Sequence, residues 1–296
     1  RQGRWTVCLP EAAAGFLFAS CQKEDAQQTE VSGAKASSVQ SVSPVPPSYI
    51  KKVLLEELTN VSVGTAPMAD RDLIAPVLAN PTRVFMASLH TAGLLGQTHA
   101  NRLMTSLTPG SPSIPCGIID RTNFAGNVFQ NPSTVSTKVT SMLSRPTSCG
   151  VAMNSNVTGR CASIDVHVGF TANMTSSYRM HAYLIEDVVS NPNPLYSQAN
   201  AYNNTAGNPF YALGNPITNY VHKNVVRKVI SPASGESIVP AALVAGGSQV
   251  FSYQIDLLEK SNTSSKYKVL AFITDNLTGE VLNVQCGELG RLVDWN

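Results

Sequence analysis

Apolar residues between positions 50 and 147 fall into two patterns that alternate along the chain. Compact apolar runs predict strands, and segments with apolar residues at helical spacing predict helices. In chain order these are Val53–Leu58, Met68–Leu78, Arg83–Leu89 and Thr98–Leu107. A further helix is predicted to begin at Asn131, a capping residue followed by Pro132 at the first helical position. Strands that alternate with helices predict an α/β domain over residues 49–147.

From about residue 148 the apolar pattern changes to period two. Residues 164, 166, 168 and 170 are apolar and alternate with polar or small neighbours, and residues 251–257 repeat this alternation. Turn-forming stretches such as Asn154–Gly159 and Asp275–Gly279 separate the runs. Strands with one buried and one solvent-exposed face predict an all-β, immunoglobulin-like antiparallel sandwich over residues 148–296.

The first 48 residues have a different composition. Residues 1–20 join a basic start to a short apolar run and small residues, which is the pattern of a secretory signal peptide. Cys21 follows in a sequence that resembles a bacterial lipobox, which would make it the acylated first residue of the mature protein. The alternative is a buried apolar helix with an incidental cysteine. Residues 21–48 are polar and proline-rich and predict a lipidated flexible tether.

The four residues after this cysteine, Gln22, Lys23, Glu24 and Asp25, resemble the acidic signal that sends lipoproteins of Bacteroidetes-type bacteria to the cell surface. An ordinary solvated linker is the alternative. Beyond residue 50 no apolar run approaches the roughly 20 residues needed to cross a membrane, so lipid is the expected anchor.

Charge argues against one class of partner. The formal net charge is +2, with 21 basic and 19 acidic residues scattered along the chain, so we expect no nucleic-acid binding. Only 14% of residues are charged, against about a quarter in ordinary soluble domains. Polarity comes instead from uncharged side chains, which is common in secreted β-rich proteins.

Two segments, Lys51–Pro67 and Ser113–Arg121, resemble the frame of a thioredoxin-like active site. In a redox-active member, the loop before Pro67 would carry Cys-x-x-Cys. Here that degenerate redox loop is Val63, Gly64, Thr65 and Ala66. Because thiol–disulfide chemistry needs both sulfurs, we expect it to be absent. The resemblance also implies that Pro115 is preceded by a cis peptide bond.

Larger parts of the chain resemble one family, the Bacteroidetes outer-membrane lipoproteins known by a mass of twenty-eight kilodaltons. The motifs that carry the resemblance are Leu54–Thr59, Ile114–Arg121, Tyr183–Asp187 and Tyr220–Arg227. It implies a thioredoxin-like domain followed by a β-sandwich, and an envelope or adhesion role with no specific ligand. Many relatives keep the Cys-x-x-Cys-Pro loop that this chain lacks.

The cysteines leave two hypotheses open. Cys116 directly follows Pro115, so a lone thiol there could serve an envelope thiol enzyme; a buried structural cysteine is the alternative. Cys149 and Cys161 flank Asn154–Gly159, and a hairpin turning at Ser155 could place them opposite each other as a disulfide.

The stretch from Ser197 to Asn219 is long, aromatic and rich in asparagine. Loops of this length usually bind something or are disordered, so it is the candidate interaction surface; a loop packed on its own sandwich is the alternative. The aromatic candidates are Tyr202, Phe210, Tyr211 and Tyr220. The histidines form no cluster with metal-ligand spacing, and we expect neither metal nor cofactor.

The sequence thus predicts a lipid-anchored outer-membrane protein, facing outward, that binds an unknown protein or glycan rather than catalysing a reaction. The alternatives are an envelope thiol enzyme and a structural subunit of a surface complex.

Overall fold

The computed structural model describes residues 41–107, 112–257 and 267–296. These residues form a mostly β structure with three α-helices. In chain order the elements are β1 (Val53–Thr59), α1 (Ala66–Ala79), β2 (Val84–His90), α2 (Thr98–Ser106), β3 (Cys116–Ile119), β4 (Phe129–Gln130), α3 (Val135–Leu143), β5 (Cys149–Thr158), β6 (Cys161–Phe170), β7 (Tyr178–Val189), β8 (His222–Val229), β9 (Glu236–Ser237), β10 (Ser248–Asp256), β11 (Tyr267–Asp275), β12 (Val281–Glu288) and β13 (Leu292–Val293). Within the described residues, no helix is long and apolar enough to span a bilayer.

The predicted α/β elements form close to their expected positions. β1 and β2 are parallel and joined by α1, while β3 runs antiparallel to β1. β1 is buried on both faces, with Val53 and Leu55 packed in the cluster that includes residues of α1 and α3. The side chain of Asn131 accepts a hydrogen bond from the backbone N–H of Ser133, so it caps the short 3₁₀ turn that leads into α3.

The strands pair across the predicted boundary at residue 148. The larger sheet has the order β12-β11-β7-β8-β2-β1-β3-β4, with β9 on β7, so strands from both predicted domains share it. The described residues all belong to one compact unit. The boundary between 49–147 and 148–296 therefore falls inside one unit. Its prediction relied on the change of period, which reports the exposure of a strand's faces and not its pairing partner.

A second sheet, of order β10-β6-β5-β13, packs on one face of the larger sheet. Their inner faces share an apolar core of residues from β5, β6, β7 and β11, including Val166, Phe170 and Leu184. The expected sandwich is therefore present, but one of its two layers is the sheet that β1 and β2 also build.

The larger sheet curls until β12 meets β1 and the end of β3. The backbone N–H of Val281 donates to the carbonyl of Asp120 at 2.7 Å. The ammonium of Lys51 lies 2.7 Å from the Asp120 carboxylate and donates to the carbonyl of Leu282 at 2.9 Å. Asp120 also accepts the backbone N–H of Leu54 at 2.7 Å. We call this meeting of three strands the closure junction.

Inside the curl a buried ion pair lies among apolar side chains. Two guanidinium N–H groups of Arg121 donate to the Glu56 carboxylate, both at 2.8 Å. The Tyr183 hydroxyl accepts from Arg121 at 2.9 Å and donates to Glu56 at 3.2 Å. It is also hydrogen-bonded to Nε2 of His99 at 2.8 Å. Asp120 and Arg121 both have positive φ, 46° and 53°, so the chain turns sharply where the junction and the ion pair meet.

The tether ends earlier than the sequence suggested. Val42 and Val45 pack against Tyr49 and Trp295, and the indole N–H of Trp295 donates to the Ser43 carbonyl at 2.8 Å. The part of the predicted tether from residue 42 is therefore packed on the folded unit, because its few apolar side chains find a partner near the C-terminus. The predicted signal peptide, Cys21 and Gln22–Asp25 lie outside the described residues.

The predicted Cys149–Cys161 disulfide is wrong. β5 and β6 form a long hairpin in which Cys149 is opposite Phe170 and Cys161 is opposite Thr158, so the two cysteines lie at opposite ends. Cys149 is a buried free thiol. The polar residues around Ser155, which were predicted to form the turn, belong to the solvent-exposed end of β5. The chain reverses only after Thr158.

We expect Arg121→Met to destabilise the protein by about 3–5 kcal/mol, because it leaves the Glu56 carboxylate buried without its cation. Arg71→Met is the matched control, since Arg71 forms an exposed pair with Asp72 and should cost under about 1 kcal/mol. Urea unfolding measures both. Adding Glu56→Gln to Arg121→Met should recover part of the loss, and equal stabilities for the Arg121 and Arg71 variants would contradict a buried ion pair.

Candidate functional site

The degenerate redox loop lies at the carboxyl end of β1. Val63–Thr65 form a tight turn, in which the N–H of Val63 donates to the Asn60 carbonyl and that of Ala66 to the Val63 carbonyl. α1 begins at Ala66. Pro115 precedes β3, whose Cys116 is paired with Leu58 near the same end of β1, and the Ile114–Pro115 peptide bond is cis.

The segment between β7 and β8 folds over this loop. The N–H of Ala199 donates to the Val61 carbonyl at 2.8 Å, and that of Ala201 to the Gly64 carbonyl at 2.9 Å. The Gln198 amide donates to the carbonyls of Val61 and Val63 at 3.1 and 2.9 Å. Residues 197–219 are called the covering loop below. A Cβ on Gly64 would lie 3.0 Å from the Ala201 Cβ, so glycine permits this close approach.

Asparagine side chains hold the covering loop in shape. The Asn200 amide donates to the carbonyls of Phe210 and Gly214, both at 2.9 Å, and its oxygen accepts the N–H of Tyr202. The Asn203 oxygen accepts the N–H of Gly214 at 2.7 Å. The asparagine-rich composition therefore builds an ordered loop, since each amide replaces backbone hydrogen bonds that no strand supplies.

The aromatic candidates of this region have different environments. Tyr202, Phe210 and Tyr220 are half-buried, whereas Tyr211 is 49% exposed and its neighbour Leu213 is 53% exposed. The covering loop thus packs on the loop after β1 on one side, whereas the alternative from sequence had it on the sandwich, and it presents an exposed apolar pair on the other side.

Two carboxyl groups meet beneath the covering loop. Glu57 of β1 is 2% exposed and accepts a hydrogen bond from the Ser88 hydroxyl at 2.6 Å. Asp70 of α1 accepts one from the Tyr220 hydroxyl at 2.7 Å. Burial, the charge of Asp70 and a hydrogen bond between the two carboxyls raise the pKa of Glu57 well above its usual range. This direction of the pKa favours a proton shared between the two carboxyl groups.

Glu57 and Asp70 line a small cavity of about 160 Å³, and two histidines line it as well. His90 and His222 pack edge to face with ring centroids 5.3 Å apart. Burial, reinforced by the charge of His222, lowers the pKa of His90 to about 3, and burial also lowers the pKa of His222. Both rings are therefore neutral at pH 7. The cavity is smaller than the roughly 300 Å³ at which typical ligand pockets begin.

The arrangement is suited to fastening the covering loop. Tyr220 joins the end of this region to α1 through Asp70, and none of the described residues that line the cavity is a cysteine. Among the described residues no group of acidic, histidine and cysteine side chains is placed to hold a metal ion.

Cys116 is buried, and burial, aided by the charge of Glu57, raises the pKa of its thiol to about 12. A thiol with such a pKa carries almost no thiolate at pH 7. Neither His90 nor His99 offers a positive charge to stabilise a thiolate, because burial lowers their pKa values to about 3 and about 4 and leaves both rings neutral at pH 7.

The sequence analysis did not single out the Glu57–Asp70 pair. The sequence does contain one signal, since Glu56 and Glu57 interrupt an otherwise apolar strand. A charged side chain in a strand that is buried on both faces needs a polar partner. The partner of each carboxylate, however, comes from a distant part of the chain.

We expect the pH dependence of stability to change in Glu57→Gln. A native pKa above the unfolded value of about 4.5 means that the folded state keeps a proton that the unfolded state has lost, so this group's contribution falls as pH rises through that window. Urea unfolding between pH 5 and 9 should therefore show the variant gaining stability relative to wild type as pH increases. Asp72→Asn, on the exposed side of α1, should show a pH-independent difference, and the same result for Glu57→Gln would contradict the shared proton.

Comparisons with known proteins agree with this description. The chain resembles the solved structure of HBP35 of Porphyromonas gingivalis, with a TM-score of 0.64 and 18% identity over 83% of this chain and 78% of that one. It matches a protein AGR_C_4864 from Agrobacterium tumefaciens at a TM-score of 0.47 and 11% identity, over 81% of this chain and 95% of that one. At this identity the first likeness shows a common fold. No curated protein matches the chain.

A domain of the outer membrane lipoprotein Omp28 from Porphyromonas gingivalis is also similar, with a TM-score of 0.31 and 14% identity over 51% of this chain and 92% of that one. The family model described as outer membrane protein Omp28 matches residues 108–291. That range is more than half of the chain and includes β3 to β12. The resemblance inferred from sequence is confirmed: the chain belongs to the Omp28 family of outer membrane lipoproteins.

Proposed function

We propose that this protein is a lipid-anchored binding protein on the outer face of the outer membrane, and that its thioredoxin-like part carries no thiol chemistry. In this proposal Cys21 holds the acyl chains, and residues 22–41 give the folded unit its reach. Gln22, Lys23, Glu24 and Asp25 direct it to the surface. Several acyl chains on one cysteine anchor stably where one chain is marginal.

A thioredoxin-like origin of the first region is supported by its connectivity. β1, α1 and β2 form a parallel βαβ unit, β3 follows antiparallel to β1, and α3 comes after it. Pro115 with its cis peptide bond and the degenerate redox loop occupy the positions that the resemblance assigns to the active site.

The observation that carries the proposal is the covering loop on the degenerate redox loop. A dithiol site must leave its sulfurs accessible to a partner disulfide. Here Gly64 contacts Ala201, and the carbonyls of Val61 and Val63 are occupied by Gln198. Together with the absence of sulfur at Val63 and Ala66, this contact favours a surface used for binding.

The exposed side of the covering loop is the binding surface in this proposal. Tyr211 and Leu213 stand on a loop that Asn200 and Asn203 hold in one conformation. A rigid loop loses little entropy on binding, and an exposed tyrosine offers both an apolar ring and a hydroxyl. A protein or glycan ligand fits this chemistry.

The alternative of an envelope thiol enzyme relies on Cys116. Its burial and raised pKa count against a nucleophilic role.

For the anchor and the outward orientation, we expect externally added proteinase to degrade the wild-type protein on intact cells. Cys21→Ala should release the protein from the membrane fraction and leave it protected inside the cell envelope. Membrane-bound wild-type protein that resists proteinase until the cells are lysed would place it on the periplasmic side and contradict the surface role of Gln22–Asp25.

For the binding surface, we expect intact cells carrying the wild-type protein to adhere to at least one coating in a panel of immobilised glycans, mucin, collagen and fibronectin. Tyr211→Ser should reduce that adhesion at least tenfold, because exposed aromatic residues dominate binding energies. Leu78→Ser, which removes an exposed apolar residue from α1, should not change it. Adhesion to no coating, or equal loss in both variants, would contradict binding through the covering loop.

A further inference from the structure

A large cavity opens at the other end of β1, away from the covering loop. Its volume is about 880 Å³, within the range of roughly 300–1,000 Å³ that ligand pockets have. α2, the residues after β3, the start of β7 and the hairpin between β11 and β12 form its walls.

Buried polar side chains line its inner part. His99 and His181 are 6% and 4% exposed, and their Nε2 atoms are hydrogen-bonded to the hydroxyls of Tyr183 and Thr274 at 2.8 and 3.1 Å. The Nδ1 atom of each ring has no hydrogen-bond partner in the part of the chain that the structure describes. Because the Tyr183 hydroxyl donates its only proton to Glu56, Nε2 of the neutral His99 ring is the donor in their hydrogen bond, and Nδ1 is left as an acceptor. The two rings therefore make the inner wall polar but do not themselves attract an anion.

The charge around the cavity is positive. Four arginines line it, against the two carboxylates of Asp275 and Glu280. Arg121 is neutralised by Glu56, and Arg145 by Glu280 at 2.7 Å. The Asp275 carboxylate accepts hydrogen bonds from the backbone N–H groups of Leu277 and Thr278.

Two guanidinium groups of the cavity have no carboxylate partner among the described residues. Arg179 donates to neutral groups, the Asn276 side chain and the Gly235 carbonyl. Arg102 is exposed and forms no ion pair or side-chain hydrogen bond with the described residues. Both therefore keep an uncompensated positive charge on the same cavity, which is an arrangement suited to carboxylate, phosphate or sulfonate oxygens.

The remaining wall is mixed, with apolar side chains among uncharged polar ones such as Ser106, Asn123 and Ser234. Leu103, Leu107, Val128 and Leu277 contribute to it. Leu277 stands at the tip of the β11–β12 hairpin and is among the most exposed apolar side chains described. A ligand that satisfies the cavity therefore joins an anionic group to an apolar one.

We propose that this cavity binds a small organic anion, a carboxylate, phosphate or sulfonate that carries an apolar group, with Arg102 and Arg179 holding the anion. The inference goes beyond the binding surface proposed above and does not depend on it, since the covering loop contributes no residue to this cavity.

The test compares two fluorescent probes with one ring system, 8-anilinonaphthalene-1-sulfonate and the uncharged N-phenyl-1-naphthylamine. The full chain, produced without export so that it carries no acyl chain, should bind the sulfonate at least tenfold more tightly than the uncharged probe. Arg102→Gln and Arg179→Gln should each weaken sulfonate binding about tenfold, the value of one charge-assisted contact, and leave the uncharged probe unaffected.

Arg291→Gln is the control, because it removes the same charge from an exposed site outside the cavity. It should change sulfonate binding less than twofold. Since the Arg102 side chain forms no hydrogen bond or ion pair with the described residues, Arg102→Gln should keep the wild-type unfolding midpoint. Its result decides the test if Arg179→Gln is destabilised. Equal affinity for the two probes, no effect of Arg102→Gln, or an equal effect of Arg291→Gln would overturn the proposal.

Discussion

The closure junction at Asp120 is the contact on which the rest of the structure depends. One residue binds three strands: its carboxylate accepts from Leu54 and pairs with Lys51, and its carbonyl accepts from Val281. Burial raises the pKa of this carboxyl to about 6, although Lys51 acts in the opposite direction. The junction ties β12, an edge strand of the larger sheet, to the start of β1 and the end of β3. With it, the sheet curls around an interior that can hold charged groups away from water.

Both candidate sites follow from that closure. Arg121, directly after Asp120, turns into the interior and pairs with Glu56, and the cavity that we assign to an organic anion opens at this amino end of β1. The next residue of β1, Glu57, faces the opposite side of the sheet and reaches Asp70 and the covering loop near the carboxyl end. Adjacent glutamates therefore serve different sites because successive strand residues point to opposite faces.

The covering loop gives the carboxyl end of β1 its surroundings. Loops on a rigid scaffold change more readily than the scaffold, and here the long segment between β7 and β8 packs over the loop that follows β1. Membership of the Omp28 family places the protein at the outer membrane.

The sequence by itself determined the strands and helices of residues 50–147, the alternating strands after residue 148, the cap at Asn131 and the family, because these depend on local spacing and on contiguous motifs. Only the tertiary structure decided which strands pair across residue 148, where the β5–β6 hairpin turns, that Val42 and Val45 dock beside Trp295, and what the covering loop packs against. It also brought Glu57 to Asp70 and four arginines to one cavity. The physical reason is that periodicity reports whether a face is buried, whereas the partner that buries it is chosen by long-range packing and hydrogen bonding.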